Sequence, residues 1–117
     1  MATGRRPMII ARRTLHWKSQ AGAADIEVRI FRPEEIDGCW RCRYEIDWPD
    51  RKRAFSGAGY DSVQALHATL QMIGSEIVAS GYYQAGEISL DGDYRGCGFP
   101  VPPNIRDCLR DDDARFG

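Results

Sequence analysis

The chain has 117 residues, of which 43% are hydrophobic and 28% charged, and its formal net charge at pH 7 is -1. These values lie close to the globular average and argue against an extensively disordered chain. The longest apolar run near the start, Met8–Ala11, is far shorter than the ~20 residues that cross a bilayer, and too short for the apolar part of a secretory signal. We therefore expect one cytoplasmic domain over residues 1–117, with an ordered core over about residues 9–103.

Charge is distributed unevenly along the chain. Met1–Ala58 contains twelve Lys or Arg residues against eight acids, whereas Gly59–Gly117 contains four Arg residues against nine acids. Two solvated faces would explain this difference, and so would a surface that contacts a partner. The basic leader Met1–Met8 and the acidic tail Arg106–Gly117 contain little apolar sequence, so we expect both ends to be mobile.

Three segments alternate apolar and polar residues with the period of a half-buried strand: Ile9–Trp17, Asp25–Phe31 and Trp40–Trp48. In the third, all aromatic and aliphatic residues fall on one face and all charged residues on the other. This pattern is typical of an antiparallel sheet with one face on a core and one in water. A weaker fourth strand is predicted at Arg51–Ser56, and a polar loop at Glu34–Gly38.

A long helix is predicted over Asp61–Ser80. Asp61 is a suitable N-cap, and Gln64 stands three residues later, as in a capping box. Large apolar residues then recur at three- and four-residue spacing: Val63, Leu66, Leu70, Ile73 and Ile77. Gly74 interrupts the helix at a cost of roughly 1 kcal/mol relative to alanine, which a close packing contact could explain.

These elements predict an α+β fold: an antiparallel meander of three to five strands with one long helix packed across one face. A short last strand at Glu87–Leu90 and an extended segment at Gly96–Pro103 would complete it. The predicted core residues are Ile26, Val28, Ile30, Trp40, Cys42, Tyr44, Ile46, Val63, Leu66, Leu70, Ile73, Ile77 and Phe99.

Several motifs occur in an order that resembles a family of small bacterial proteins classed as a domain of unknown function. They are Cys-Arg-Tyr-Glu-Ile (Cys42–Ile46), Tyr-Asp-Ser-Val-Gln-Ala-Leu (Tyr60–Leu66), Ile-Gly-Ser-Glu-Ile (Ile73–Ile77) and Gly-Phe-Pro-Val-Pro (Gly98–Pro102). The resemblance extends from about Ile10 to Pro102. It implies a bacterial source and supports the fold, and it brings no activity, cofactor or catalytic residue.

The sequence contains no strong catalytic or metal-binding pattern. Cys39 and Cys42 have the spacing of a redox or zinc pair, but they open a strand, and the other two cysteines, Cys97 and Cys108, do not form a second tight pair. The acidic clusters, including Asp111–Asp113, lie in turns and the tail, where we expect ordinary solvated carboxylates. We therefore predict no catalytic residue, no metal ligand and no cofactor.

The remaining candidate site is the polar face of the sheet. If the first three strands are neighbours, they bring together Arg12, Arg29, Arg41 and Arg43. Such a face could be simply solvated, or it could bind an acidic protein or a nucleic-acid backbone. The aromatic residues that would stack RNA bases fall on the other face, and acids dilute the positive charge, so nucleic acid is the less favoured partner.

We therefore predict a non-enzymatic interaction module, of an accessory or immunity type, that binds another bacterial protein through these arginines and has no membrane partner. A nucleic-acid-associated protein and a small structural-zinc protein are the alternatives. An enzyme with an active site formed in an oligomer also stays open. The oligomeric state is not predicted.

Overall fold

The computed structural model describes residues 8–116 and has the predicted α+β architecture. The strands are β1 (Ile9–Ser19), β2 (Gly22–Phe31), β3 (Glu34–Ile36), β4 (Cys39–Asp47), β5 (Lys52–Gly59) and β6 (Ile88–Ser89). The helices are α1 (Ser62–Val78), α2 (Gly81–Gln84) and α3 (Asp111–Phe116), with a 3₁₀ helix at Pro103–Cys108. The predicted basic leader lies outside the described residues, apart from Met8. Among the helices of residues 8–116, none combines the length and apolar character of a membrane-spanning segment.

The six strands form one antiparallel sheet with β4 near one side. β6, β1 and β2 follow one another, and both β2 and β3 pair with the same edge of β4, while β5 pairs with its other edge. The strand β3 corrects the prediction of a polar loop at Glu34–Gly38. Asp37 and Gly38 both have positive φ, 54° and 79°, which is the geometry of a two-residue hairpin turn and suits an Asp-Gly pair.

The helix α1 covers one face of the sheet and begins as predicted. Asp61 accepts a hydrogen bond from the Gln64 amide at 2.8 Å, and the Gln64 side chain accepts one from the Tyr60 amide. The buried stripe differs from the predicted one, since Val63, predicted in the core, is 74% exposed. The residues that face the sheet at four-residue spacing are Ala65, Thr69, Ile73 and Ile77. Ile73 and Ile77 were predicted correctly, and Leu66 and Leu70 pack partly buried against the core. A pattern weighted toward large side chains wrongly included Val63 and missed the small residues Ala65 and Thr69.

The small residues of α1 lie directly on the backbone of β5. A Cβ atom on Gly57 would lie 2.6 Å from the Thr69 hydroxyl oxygen, and one on Gly59 would lie 2.6 Å from the Ala65 amide nitrogen. The Thr69 hydroxyl accepts a hydrogen bond from the Gly57 amide at 3.0 Å and donates one to the Cys42 carbonyl at 2.5 Å. The glycines that precede α1 therefore let the helix contact the sheet backbone, and this hydroxyl connects α1 to both β4 and β5.

The second half of α1 is joined to the same two strands by a largely buried carboxylate. Glu76 accepts hydrogen bonds from the Tyr44 hydroxyl at 3.0 Å, from Trp48 Nε1 at 3.2 Å and from Arg53 Nε at 3.2 Å. Burial raises the pKa of the Tyr44 hydroxyl, and the adjacent Glu76 carboxylate raises it further. This arrangement keeps Tyr44 neutral as a hydrogen-bond donor and gives the carboxylate a structural role.

The C-terminal residues correct the prediction of a loose tail with solvated acids. Asp113 of α3 is only 2% exposed. Its carboxylate accepts hydrogen bonds from the Tyr83 and Tyr94 hydroxyls, both at 2.9 Å, and from the amides of Cys97 at 2.7 Å and Gly98 at 2.9 Å. A run of aspartates in a polar segment carries no sequence signal for these long-range contacts, so the tail was wrongly predicted to be solvated throughout.

The loop that receives Asp113 is shaped for this contact. Gly96 and Gly98 have φ angles of +135° and +71°, and a Cβ on Gly96 would lie 2.4 Å from the Asp113 carboxylate. Burial raises the pKa of the Cys97 thiol to about 12, and the neighbouring carboxylate adds to the shift. Cys97 is therefore a neutral, buried thiol at physiological pH.

Gly74 provides a test of the helix packing. A Cβ at this position would lie 1.9 Å from the Pro100 carbonyl oxygen, whereas one on Gly81 would have no neighbour within 4 Å. We expect Gly74→Ala to lower the free energy of unfolding by about 1–3 kcal/mol despite the better helix propensity of alanine. Gly81→Ala, the matched control, should leave stability unchanged or raise it by up to about 1 kcal/mol. Urea denaturation measures both, and a Gly74→Ala protein as stable as the control would contradict the packing.

The contribution of the buried Asp113 carboxylate to stability can be tested by comparison with its neighbour Asp111, which is exposed. Asp113→Asn places an amide group against backbone amides that need an acceptor, so we expect a loss of about 2–3 kcal/mol of unfolding free energy. Asp111→Asn should change stability by less than about 0.5 kcal/mol, because it removes only a solvated charge and asparagine tolerates its positive φ. Thermal and chemical unfolding at neutral pH compare the two variants, and equal stabilities would refute the buried role of Asp113.

Candidate functional site

The centre of the outer sheet face, opposite α1, is occupied by an ion-pair network around Arg29. The Arg29 guanidinium donates to Glu27, to Glu45 at 3.0 Å, and to both oxygens of Asp47 at 2.7 and 2.8 Å. Its side chain is only 12% exposed. Hydrogen bonds from Arg29 are the main reason that the pKa values of Asp47 and Glu27 lie below their usual range. Arg29 therefore holds together three acids from β2 and β4 and has little capacity left for a partner.

Arg12, the second predicted binding residue, also belongs to this network. Its guanidinium lies 3.3 Å from the Glu27 carboxylate, which it shares with Arg29. Nearby, His16 Nδ1 lies 2.9 Å from Asp25 Oδ1. The β1–β2 part of the outer face thus pairs Arg12 and Arg29 with Glu27, and His16 with Asp25. Such matching favours correct strand register over attraction of a charged ligand.

The two other predicted arginines line a groove at the opposite side of this face. We call it the arginine groove, and its volume is about 470 Å³. It is lined by Phe31, Arg32, Glu34, Ile36, Arg41, Arg43, Ala54, Phe55 and Ser56. The register of β3, β4 and β5 explains this grouping, because Glu34 stands opposite Arg41 and Ser56 opposite Arg43, with all four side chains on the outer face.

The groove combines an aromatic floor with an excess of positive charge. Phe31 is 8% exposed, and the Arg43 guanidinium lies over its ring at 5.7 Å from the ring centre. The Arg43 guanidinium also donates a hydrogen bond to the Glu45 carboxylate at 3.1 Å, and the Arg32 guanidinium lies 3.7 Å from the Glu34 carboxylate. Three of the lining residues are arginines and one is an acid. The groove therefore offers donors to a carboxylate or another anion.

Arg41 is the side chain in the groove that is most available to a ligand. It is exposed, and within residues 8–116 its guanidinium has no ion-pair or hydrogen-bond partner. Sequence reasoning identified Arg41 and Arg43 but missed Arg32 and Phe31. Arg32 precedes Pro33 between two strands, so periodicity could not assign it to a face; only the pairing of β3 with β4 brings it to the groove.

The cysteines do not gather into a metal site in the described part of the chain. Cys42 and Cys97 are buried, Cys39 is partly buried and Cys108 is exposed. Across residues 8–116, no group of three or more His, Cys, Asp or Glu residues could hold a metal ion. Burial raises the pKa of the Cys42 thiol, the opposite of what a reactive thiol requires. The zinc and redox alternatives thus gain no support from the geometry.

Comparisons with known proteins identify the family to which the chain belongs. Neither the search of curated proteins nor that of solved structures gave a match. A family model described as a domain of unknown function (DUF6968) matches residues 11–101, which include the sheet apart from the first two residues of β1, the helix α1 and most of the extended segment Gly96–Pro103. The match covers most of the chain and contains most of the motifs on which the resemblance was based. The chain belongs to this family of domains of unknown function, DUF6968.

Proposed function

We propose that this protein is a non-enzymatic bacterial interaction module, of an accessory or immunity type, that binds an acidic region of another protein through the arginine groove. The observation that carries the proposal is Arg41, an exposed guanidinium without an ion-pair partner in residues 8–116, next to Arg43 and Arg32 above an aromatic floor. Arginines beside apolar surface are typical of protein interfaces, since they give both directed hydrogen bonds and contact area.

A protein partner fits the groove better than a nucleic acid does. Base stacking needs an open aromatic face, whereas guanidinium groups lie over both aromatic rings that line the groove, Arg43 over Phe31 and Arg53 over the more exposed Phe55. The acids of the Arg29 network border the groove and would repel a continuous phosphate backbone. A folded or extended protein segment can place a few carboxylates at the arginines and apolar atoms beside Ile36 and Phe31.

The buried carboxylates support a binding role over catalysis. Glu76 and Asp113 are largely buried acids that could suit acid–base chemistry, but hydrogen bonds from tyrosine, tryptophan, arginine and backbone donors occupy them. Glu45, which is as buried as Glu76, is held by Arg29 and Arg43. The contacts of Glu76 and Asp113 join α1 to the sheet and α3 to its loop. The carboxylates of Glu76 and Asp113 therefore have structural roles.

Charge reversal in the groove tests the proposal. We expect Arg41→Glu combined with Arg43→Glu to weaken capture of an acidic protein partner from bacterial lysate by at least about tenfold, which corresponds to ~1.4 kcal/mol. Arg51→Glu is the matched control, since Arg51 is exposed and lies outside the groove. Quantitative mass spectrometry of the eluates measures the loss, and a melting curve verifies that each variant is folded.

Two results would contradict the proposed function. One is a set of captured proteins that does not change between the double variant and the wild type. The other is a nuclease-sensitive eluate whose binding falls steeply with salt, which would favour the nucleic-acid alternative.

A further inference from the structure

The strand β5 lies at an edge of the sheet, and its backbone orientation can be derived from two neighbouring contacts. Ile36 and Cys39 flank the two-residue turn of the β3–β4 hairpin, so the Cys39 backbone faces β3. Alternation then directs the Cys42 backbone toward β5. The Thr69 hydroxyl agrees with this, because it bridges the Cys42 carbonyl and the Gly57 amide, which must face each other.

The alternate residues of β5 therefore point their backbone groups away from the sheet. These are Lys52, Ala54, Ser56 and Ala58. Among residues 8–116, β4 is the only strand paired with β5, and no backbone hydrogen bond reaches the outward groups of Ala54, Ser56 or Ala58. Their side chains are too small to shield them. Edge strands are commonly protected by bulky or charged side chains, and here only Lys52 and Arg53 at the start of β5 provide charge.

Grooves flank this open edge on both faces of the sheet. On the outer face, Ala54 and Ser56 form one wall of the arginine groove. On the helix face, a second groove of about 540 Å³ lies between Phe55 and α1, where Ala68 and Met72 contribute to its wall. Successive side chains of a strand point to opposite faces. A strand added to β5 would therefore place alternate side chains near the arginines and near the apolar wall.

We propose that the edge of β5 binds an extended segment of the partner protein by strand addition, and that acidic and apolar side chains alternate along this segment. The proposal rests on the proposed function, since the acidic side chains enter the arginine groove. Charge complementarity identifies the occupant: three arginines and one acid line the outer groove, and Phe55 and Met72 line the other. A second copy of this chain fits less well, because its β5 would bring Lys52 and Arg53 to a positive groove.

A synthetic peptide with alternating valine and glutamate, acetylated and amidated at its ends, is a suitable probe. We expect it to shift the amide resonances of Ala54, Ser56 and Ala58 in a saturable titration, while a valine–lysine peptide does not. Two further peptides carry N-methyl groups on one or the other alternating set of amides. Because only one edge of the added strand bonds to β5, one methylated peptide should lose at least about tenfold in affinity, or ~1.4 kcal/mol, and the other should bind as before.

A change in the protein provides a second test. Ser56→Pro removes an outward amide that β4 does not use, and proline is tolerated at such an edge position. We expect this variant to keep its fold and lose peptide binding. If it does not fold, the methylated peptides decide the question with the unaltered protein.

The outcomes separate this inference from the proposed function. Equal binding of both methylated peptides, no binding of the valine–glutamate peptide, or self-association of the protein through β5 would each overturn strand addition. If binding is retained by Ser56→Pro but lost in the Arg41→Glu, Arg43→Glu variant, the arginine groove stands as the binding site and strand addition is wrong.

Discussion

The contact of the Thr69 hydroxyl with the Gly57 amide and the Cys42 carbonyl is the constraint on which the rest of the structure depends. It places the α1 axis so near the sheet that Gly57 and Gly59 cannot carry side chains. It also satisfies polar groups that would otherwise be buried at a cost of about 1–3 kcal/mol each. Because α1 is fixed here, its second half brings Glu76 to Tyr44, Trp48 and Arg53.

The same constraint determines the residues of β5 that face α1. Gly57 and Gly59 lie beneath Thr69 and Ala65 and leave no room for side chains. The alternate residues Ala54, Ser56 and Ala58 lie on the outer face, and their small side chains leave the outward backbone groups of this edge strand uncovered. The arginine groove borders this row of groups because Arg43 lies opposite Ser56 in the register of β4 and β5. Core packing and the proposed binding surface therefore meet on one strand.

Sequence reasoning succeeded where one strong periodic signal decided the structure. The alternation from Trp40 to Trp48 predicted β4 and its buried face, and Asp61 with Gln64 predicted the start of α1. It failed where the decisive contact joined distant or small residues. Val63 was placed in the core because large residues dominate a helical pattern, and Asp113 was placed in solvent because its four donors come from residues 83–98.

The sequence predicted only part of the candidate site, again because the decisive contacts join residues that are distant in the chain. Strand alternation placed the arginines on one face, but it could not show that Glu27, Glu45 and Asp47 enclose Arg29 while Arg41 stays exposed. That distinction depends on strand order and register, and it reduces a general arginine face to a groove beside β5. The proposed strand addition requires that the outward edge of β5 is open. Native-state amide hydrogen exchange measures this directly: the amides of Ala54, Ser56 and Ala58 should exchange rapidly while those of Phe55 and Gly57 exchange slowly. Uniformly slow exchange along β5 would show that the edge is covered and would contradict the account.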